Sequence, residues 1–496
     1  MDEQLTFELE ARPIEKGTPE LRWSGKRPFE SADYCPARLR ESYGTAAEDG
    51  WINRLYRGDN LCVMSHMLKD FRGKIDLIYI DPPFNSKTDY KKKITMRGQQ
   101  TGSAGKAVEE KQYGDIWTND GYLQFMYERL ILMRELLSDA GSIYVHSDYH
   151  KVQYIRCIMD EVFGAGCFQR ELIWQLPGVS GYKSLADNYV RGHDNILFYT
   201  KSGKRVFNKE YLPYSKAQLK RFSGVDKDGR RYKPITKDRV IYLDESKGVP
   251  VSDVWSDIAS FQTVVNSPEI QNYPTQKPEA LAERIIKSSS NHGGIVFDCF
   301  MGSGTTQCAA MKLGRRFIGA DINTGAVHTS VKRLINLAKR LDETQSAKVT
   351  DAETSSCAGA PGRPLFTGFE VYDAEVHTLT QSVGVESKAE ANADIAIAGG
   401  MLTVRQFNSP LLLEKFPADK GNQPDWRQFV DSIMIDWNYD GKVLRPAVTD
   451  VPDRKGLVSG IYEIPQNAAR VRVKITDLLS ESIEVEGNCT LGARIL

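Results

Sequence analysis

The sequence has no apolar run long enough to cross a membrane. A membrane-spanning helix needs roughly 18 or more consecutive apolar residues, and no stretch of this 496-residue sequence approaches that length. Residues 1–17 are acidic on balance and lack the basic start, apolar middle and small-residue end of a secretory signal. We therefore expect a soluble protein of the cytoplasm that makes no contact with a membrane.

Cysteine and histidine are scarce and scattered. The eight cysteines contain no Cys-x-x-Cys pair, which argues against a disulfide framework and a zinc site, and fits a reducing compartment. The seven histidines show no metal-ligand spacing, so we expect no metal. We interpret His146 and His193 as structural residues rather than as bases.

Net charge is absent as well, because 65 basic residues balance 65 acidic ones. The distribution is uneven, however. Residues 201–247 hold fourteen Lys or Arg against six Asp or Glu, a local charge of +8, and aromatic residues are interleaved with them. This composition is typical of a segment that binds nucleic acid, although an ordinary solvated basic loop is the alternative.

The length exceeds the size at which one hydrophobic core usually stops growing, so we expect two or three folded units. Between about Arg54 and Leu341, short apolar runs alternate with longer amphipathic stretches, which predicts an α/β domain with a parallel sheet. The predicted strands are Ile75–Ile80, Ser142–His146, Asn195–Tyr199, Ile295–Phe297 and Arg316–Ala320. The predicted helices are Tyr122–Leu137, His150–Phe163, Pro278–Ser290, with Pro278 at its first position, Thr305–Leu313 and Gly325–Leu341.

Composition changes after this domain. Residues 342–364 are polar, small and proline-bearing, which is typical of a linker. Beyond them Val471, Val473 and Ile475 alternate with Arg472 and Lys474, the period of half-buried strands. We therefore predict an N-terminal extension (1–50), a main α/β domain (51–341), a linker (342–364) and a β-rich accessory domain (365–496). The Gly/Gln/Ser-rich stretch 97–105 is predicted to be a mobile loop.

An unusual tetrapeptide follows the first of these predicted strands. Asp81-Pro82-Pro83-Phe84 stands at its carboxyl end, which is where α/β sheets place their sites. Two prolines fix the backbone and leave carbonyl acceptors, Phe84 offers a face for stacking, and Asp81 can accept a hydrogen bond from an amino group. Taken alone, the tetrapeptide is equally compatible with a strand-ending turn.

A second loop has the features of a nucleoside site. Residues 298–306, DCFMGSGTT, place Gly302 and Gly304 between a strand and a helix, where glycines let a ligand approach the backbone. The loop lacks the Lys of a phosphate-binding P-loop and the third Gly of a dinucleotide fingerprint. Asp321, at the end of the next strand, is placed to bind ribose hydroxyls. A nucleoside cofactor without phosphates, such as S-adenosylmethionine, satisfies these observations, with glycines that serve only tight packing as the alternative.

Three ordered motifs resemble a known family. Residues 81–84 (DPPF), 273–278 (YPTQKP) and 300–304 (FMGSG) resemble the catalytic, central and cofactor motifs of amino-methylating DNA methyltransferases in their β order. The segment from Trp117 to Val145 is similar to modification subunits of type III restriction systems. The resemblance covers roughly Arg54 to Leu341. It implies a Rossmann-like, S-adenosylmethionine-dependent methyltransferase fold with the β-rich region as an accessory.

The resemblance also implies roles for individual residues. The target adenine would be flipped out of the duplex, since its N6 amine is otherwise paired and stacked. Asp81 and the Pro82 carbonyl would accept hydrogen bonds from that amine, Pro83 would stiffen the loop, and Phe84 would stack on the base. The residues implied at the cofactor, with Lys277 on its carboxylate, Asp321 on its ribose and Asp59 near its adenine, are Asp59, Thr275, Lys277, Asp298, Phe300, Gly302, Ser303, Gly304 and Asp321.

The methyl acceptor is narrowed by what the sequence contains. Methylation at cytosine C5 needs a thiolate, usually in a Pro-Cys pair, and only the reverse order, Cys35-Pro36, is present. Enzymes that methylate cytosine N4 usually carry Ser in place of Asp81, so the resemblance favours adenine. Cytosine N4, RNA, and a non-catalytic specificity subunit that docks a nuclease or helicase remain the alternatives.

The basic segment lies where related enzymes insert their target-recognition region, here at about 201–265. Double-stranded DNA is the expected partner, and the residues predicted to contact its phosphates are Lys220, Arg221, Arg230, Arg231 and Lys233. The segment is shorter than in type III subunits. A solitary enzyme, a homodimer, and an enzyme partnered by a restriction or helicase subunit all stay open.

Overall fold

The computed structural model describes residues 5–10, 17, 19–84, 89–97, 108–114, 118–176, 185, 187–236, 238–264, 266–271, 273–350, 365–374, 391–416, 424–453, 456–489 and 494–495. Within these ranges no helix is both long and apolar enough to cross a bilayer. The predicted loop at 97–105 lies outside them except for Arg97, which is buried.

Strands and helices are interspersed up to residue 350, and the described residues after that are mainly in strands. In chain order the strands are β1 (Thr6–Glu8), β2 (Ser31–Asp33), β3 (Ala37–Tyr43), β4 (Asn53–Arg57), β5 (Ile75–Ile80), β6 (Asp89–Ile94), β7 (Val108–Gly114), β8 (Leu137–Ser147), β9 (Phe168–Gln175), β10 (His193–Thr200), β11 (Tyr211–Leu212), β12 (Gly224–Val225), β13 (Arg231–Thr236), β14 (Arg239–Tyr242), β15 (Val249–Pro250), β16 (Val254–Trp255), β17 (Ile295–Asp298), β18 (Arg316–Asp321), β19 (Phe369–Ala374), β20 (Asn392–Ala398), β21 (Met401–Asn408), β22 (Val430–Asp436), β23 (Val448–Asp450), β24 (Ile461–Glu463), β25 (Arg470–Asp477), β26 (Ser482–Asn488) and β27 (Arg494–Ile495). The α-helices are α1 (Asn60–Phe71), α2 (Asn119–Leu136), α3 (Val152–Phe163), α4 (Lys216–Leu219), α5 (Glu279–Ser289), α6 (Thr305–Lys312), α7 (Thr324–Thr350) and α8 (Pro410–Lys415).

A ten-stranded sheet forms the centre, in the order β16-β9-β10-β8-β5-β17-β18-β4-β19-β3. The six strands from β8 to β19 run parallel to one another, whereas β10 and β3 pair antiparallel at the two sides. Strands in the middle of a parallel sheet are covered on both faces, which favours apolar residues at consecutive positions. Strand β5 is buried at five of its six positions.

Helices cover both faces of this sheet. Side chains of α1, α2 and α3, such as Met64, Leu130 and Ile155, belong to one buried apolar cluster. Side chains of α5, α6 and α7, such as Ile285 and Leu334, belong to a second cluster. The three-layer α/β arrangement confirms the predicted Rossmann-like fold class.

The C-terminal β unit, formed by the described residues between 391 and 495, contains two four-stranded sheets, β24-β21-β20-β27 and β23-β22-β25-β26. Side chains of both sheets share one buried apolar cluster that includes Val404, Ile433 and Val473. The unit packs on the β3 edge of the central sheet, where the Ser42 N–H donates to the Leu444 carbonyl at 2.9 Å. The predicted β-rich accessory region is therefore present.

Several local expectations differ from the structure. Residues 342–350, predicted as linker, continue α7, because they include no glycine or proline that would interrupt a helix. Pro278 is the N-cap of α5 rather than its first residue. Strands β3 and β19, which lie outside the predicted main domain, pair with each other and extend its sheet beyond β4.

Candidate active site

Four acidic residues lie together at one edge of the central sheet. Asp81 follows β5, Asp298 ends β17, Asp321 ends β18, and Asp59 lies two residues after β4. These four strands are adjacent and parallel, so their carboxyl ends meet at the same edge. Residues far apart in the sequence are thereby assembled around one cavity.

The two carboxylate oxygens of Asp81 differ, because one accepts a hydrogen bond and the other has no partner among the described residues. Its Oδ2 accepts a hydrogen bond from Lys277 Nζ at 2.5 Å, and both side chains are mostly buried. Its Oδ1 is buried and has no hydrogen-bond partner within the described residues. A buried acceptor without a partner costs free energy unless a ligand satisfies it, so this oxygen marks where a donor would bind.

Phe84 continues the loop beside the Asp81 pair. Lys277 Nζ lies 5.4 Å from the centroid of the Phe84 ring. The centroid of the His146 ring lies 6.1 Å from the same point. His146 is fully buried, its Nδ1 is 3.1 Å from the Tyr79 hydroxyl, and its Nε2 is 3.3 Å from Asp194 Oδ2. Burial, with Lys277 nearby, lowers the pKa of His146 to about 3. The imidazole is therefore neutral at physiological pH, and its ring lies near that of Phe84.

The glycine loop between β17 and α6 takes a shape that other residues resist. Gly302 and Gly304 have φ of +50° and +75°. A Cβ on Gly304 would lie 2.7 Å from Ser330 Oγ, and one on Gly302 would lie 3.2 Å from the Tyr273 ring. The Gly302 carbonyl also accepts a hydrogen bond from Ser330 Oγ at 3.0 Å. The backbone is thus fixed close to the cavity by α7.

The carboxylates of Asp298 and Asp321 accept hydrogen bonds from this loop. Asp298 accepts hydrogen bonds from the Phe300 N–H at 2.9 Å and Thr306 Oγ1 at 2.6 Å. Asp321 accepts one from the Gly302 N–H at 2.9 Å. Burial raises the pKa of Asp298 to about 7 against those hydrogen bonds, and it raises the pKa of Asp321 to about 6. Perturbed carboxyls clustered in a cavity are typical of functional sites.

Asp59 is engaged with groups of the protein itself. It caps α1 by accepting from the Leu61 N–H at 2.7 Å, and Arg129 Nη2 binds its two oxygens at 2.9 and 3.2 Å. The Arg129 guanidinium lies 3.6 Å from the Phe125 ring centroid. Sequence reasoning missed Phe125 and Arg129. The available signal was an arginine four residues after an aromatic on a predicted helix, but the partner that the arginine reaches depends on how α2 packs against α1.

A cavity of about 260 Å³ connects these groups. The predicted residues that line it are Asp59, Asp81, Pro83, Thr275, Lys277, Asp298, Phe300, Gly302, Ser303 and Asp321. Pro82, Phe84 and Gly304 do not line it, although Gly304 begins α6 from the same loop. Lining residues that sequence reasoning missed include Asn60, Tyr79, Phe125, Arg129, Tyr273 and Asn323. Thr275 also lines the cavity, and its φ of +67° lies in the left-handed region, which is strained for any residue other than glycine.

The five predicted phosphate-binding residues lie apart from this cavity, around the small sheet β12-β13-β14. Arg230 pairs with Asp244 at 2.8 Å and Glu245 at 2.5 Å. Arg231 donates to the carbonyls of Leu219 and Phe222.

The other three differ in their surroundings. Lys233 Nζ lies 4.8 Å from the Phe222 ring centroid. Lys220 and Arg221 are exposed, and in the described part of the segment their side chains have no hydrogen bond or ion pair. The segment's cations are therefore not equally available to a partner.

Comparison with known proteins relates the chain to DNA-modifying enzymes. The family model described as "DNA methylase" matches residues 75–332, just over half of the 496 residues. The type II methyltransferase M.EcaI of Enterobacter cloacae is 29% identical over 408 residues, which cover 71% of this chain and 85% of that protein.

The chain is also similar to a subunit of a restriction-modification enzyme and to a protein of known crystal structure. The StyLTI Mod subunit of a type III restriction-modification enzyme from Salmonella typhimurium strain LT2 is 27% identical, with 66% of this chain and 61% of that protein covered. The crystal structure of an M1.HpyAVI–SAM complex is 21% identical, has a TM-score of 0.35, and covers 57% of this chain and 98% of that one.

Proposed function

The chain belongs to the DNA methylase family, and on that premise we propose that it methylates the N6 amine of adenine in duplex DNA. S-adenosylmethionine is the proposed methyl donor. The observation that carries the proposal is the buried, unpartnered Oδ1 of Asp81, which lies on the same cavity as the glycine loop.

The residues around the cavity fit a nucleoside cofactor. When bound, S-adenosylmethionine supplies a methyl group on a positively charged sulfur. The close backbone approach at Gly302 and the carboxylate of Asp321 suit its nucleoside part, because ribose hydroxyls donate to a carboxylate at the end of such a strand. Phe300 and Ser303 complete that side. Asp59 caps α1 and binds Arg129, and it keeps a place on the lining where the adenine edge would lie.

The target amine would be held by the loop after β5. An amine hydrogen donates to Asp81 Oδ1, and the Pro82 carbonyl accepts the other. Phe84, whose ring lies 6.1 Å from that of His146, would offer its face to the base. The proton that the amine loses after methylation passes to Asp81 or to water, so no histidine base is needed.

Lys277 has two candidate roles. The resemblance places it on the cofactor's carboxylate, whereas the structure pairs it with Asp81 at 2.5 Å. We favour the second role, in which Lys277 holds one carboxylate oxygen so that the other faces the amine. A charge-assisted hydrogen bond of this length fixes a carboxylate more firmly than a neutral one would.

The preference for adenine over cytosine N4 rests on Asp81, since enzymes acting on cytosine N4 usually carry Ser there. The test incubates the purified full chain with labelled S-adenosylmethionine and mixed genomic DNA, followed by digestion to nucleosides. Label in N6-methyladenine is the expected result, and label in N4-methylcytosine would refute the adenine assignment.

Two variants control this experiment. Asp81→Ala should incorporate no label into DNA, while Asp70→Ala, which alters a largely exposed carboxylate on α1, should match the unmodified chain. Labelling that survives in Asp81→Ala would remove Asp81 from the chemistry.

The biological setting is also proposed. Relatives named as a type II methyltransferase and a type III Mod subunit favour a role in restriction-modification. Within that setting, a restriction or helicase subunit is a candidate partner, and so is a second copy of the chain. Co-purification of the full chain with proteins encoded beside it, followed by mass determination of the assembly, would separate the two.

A further inference from the structure

The hairpin β6–β7, which comes after the active-site tetrapeptide in the sequence, contacts the C-terminal β unit. Strand β6 begins at Asp89, five residues after Phe84, and pairs with β7 in a two-stranded hairpin. Ile94, at the end of β6, is 4% exposed and packs in an apolar cluster with Leu412, Phe416 and Phe429 of the C-terminal unit. The hairpin thus buries apolar surface on a unit that lines the cavity with none of its described residues.

Arg97 strengthens this attachment just beyond the strand. It is buried, its N–H donates to the Gln428 carbonyl at 3.1 Å, and its guanidinium donates to the Asp453 carbonyl at 2.5 Å. The guanidinium also forms a short ion pair with the carboxylate of Asp431 on β22. A buried arginine whose donors reach several partners at once fixes the relative position of those partners.

Asp431 connects the same point to the cofactor side of the site. His328 Nε2 and Lys332 Nζ of α7 lie 2.9 and 2.5 Å from Asp431 Oδ2. On the same helix, Ser330 and Arg333 bind the glycine loop, with Arg333 Nη1 donating to the Ser303 carbonyl at 2.6 Å. Burial alone would raise the pKa of Asp431, but Lys332, His328 and Arg97 hold it well below the usual range. The carboxylate is therefore ionised at neutral pH, and it joins three segments.

We propose that the C-terminal β unit positions the active-site loop through this hairpin, with Arg97 as the positioning residue. The inference deepens the proposed methyl transfer and rests on it. Arg97 touches neither base nor cofactor in this scheme. Its replacement by alanine would remove the side-chain bonds to Asp431 and to the carbonyls of Asp453 and Gly456. The main-chain bond to Gln428 and the packing of Ile94 would remain, so the anchor that follows residues 81–84 in sequence would be weakened.

The test compares four full-length proteins: unmodified, Arg97→Ala, Arg97→Lys and Arg472→Ala. The matched control, Arg472, pairs with Glu484 and Glu486 on the strand next to its own, so its loss weakens the same unit without touching the hairpin. Three quantities are measured: the single-turnover rate of DNA methylation, the Kd for S-adenosylmethionine by calorimetry, and hydrogen exchange of residues 89–97.

Arg97→Ala should slow single-turnover methylation by roughly tenfold to a hundredfold, because small misplacements of reacting groups have effects of that size. Its Kd for the cofactor should stay within about twofold, its hairpin should exchange faster, and Arg97→Lys should recover part of the rate. Arg472→Ala should keep the rate and the hairpin protection. If Arg97→Ala does not fold, Arg97→Lys serves for the same comparison.

Two results would overturn the inference. One is an unchanged rate and unchanged hairpin exchange in Arg97→Ala. The other is equal losses of rate, cofactor affinity and protection in Arg97→Ala and Arg472→Ala, which would indicate general destabilisation. Failure of the unmodified chain to methylate DNA would instead refute the proposed function, and the hairpin exchange of the two variants would then still decide the anchoring.

Discussion

The carboxyl edge of the sheet and the basic segment 201–247 both gather charged side chains, but the surroundings of those side chains differ. At the edge, residues from distant parts of the chain converge, and one buried carboxylate oxygen, Asp81 Oδ1, is left without a partner among the described residues. In the basic segment, Arg230 and Arg231 are already held by neighbours in the same segment. Convergence with an unsatisfied group therefore indicates a site more strongly than local charge does.

After Asp81→Ala, the largest effect is expected for Lys277→Met, since it removes the cation from Asp81 at the centre of the convergent edge. We expect kcat to fall by roughly a hundredfold, the size seen when one preorganised polar group is removed from an active site. The Kd for S-adenosylmethionine should change little. Lys287→Met, which removes a half-exposed lysine of α5, should leave kcat intact. A weakened cofactor Kd with preserved kcat would place Lys277 on the cofactor and contradict this role.

Much of the edge was predictable because its signals are local. The apolar run 75–80 and the tetrapeptide after it predicted both β5 and the position of Asp81. The same holds for the strand-glycine-helix pattern at 295–312. In each case the residues that define the element are neighbours in sequence, so the pattern is visible without the fold.

The contacts that were missed depend on packing between distant elements. Pairing of Phe369 with Tyr43 joins strands more than three hundred residues apart, and no local period reports it. Arg129 reaches Asp59 only because α2 lies against α1. The five residues that were predicted to bind phosphates were treated as equivalent. Their surroundings differ because acids such as Asp244 come close to Arg230 only through the turn between β13 and β14.

Asp321→Asn tests whether the cofactor side of the edge depends on a charged acceptor. Loss of a hydrogen bond to a charged group costs about 1.5–3 kcal/mol, so the Kd for S-adenosylmethionine should rise roughly tenfold to a hundredfold. The pKa of Asp321 is raised to about 6, so the carboxylate is ionised above that pH and protonated below it. Cofactor binding by the unmodified chain should therefore weaken as pH falls through about 6.

The asparagine variant supplies the control for this pH dependence. It has no proton to gain at that position, so its Kd should change less between pH 7 and pH 5 than the Kd of the unmodified chain. Titration calorimetry at several pH values measures both. Equal pH dependence in the two proteins would assign the titration to another group, of which Asp298 is the nearest candidate.

Gly304→Ala tests the packing that shapes the edge. The new Cβ would lie 2.7 Å from Ser330 Oγ at a residue with φ of +75°, so both a steric overlap and backbone strain are introduced. We expect a loss of about 1–3 kcal/mol in the free energy of unfolding. Gly399→Ala, at φ of +57° with nothing within 4 Å, introduces the strain alone and should cost less. Equal losses in denaturant titrations would show that Ser330 yields to the new atom.

The smallest effects are expected in the basic segment, and they decide whether its exposed cations differ from its paired ones. Lys220→Ala combined with Arg221→Ala removes two exposed side chains without ion pairs in the described part of the segment. Arg230→Ala removes one that is held by Asp244 and Glu245. The two sets of variants thus test availability rather than total charge.

Removal of one cation that binds a DNA phosphate reduces the slope of log affinity against log salt by about one. The double variant should therefore bind duplex DNA several-fold more weakly and show a slope smaller by about two, whereas Arg230→Ala should change the slope little because its guanidinium is already neutralised by neighbouring acids. Fluorescence anisotropy titrations at several salt concentrations measure both quantities. If Arg230→Ala lowered the slope as much as the double variant did, Arg230 would have to exchange its ion pairs with Asp244 and Glu245 for a DNA phosphate. The distinction between free and paired cations would then fail.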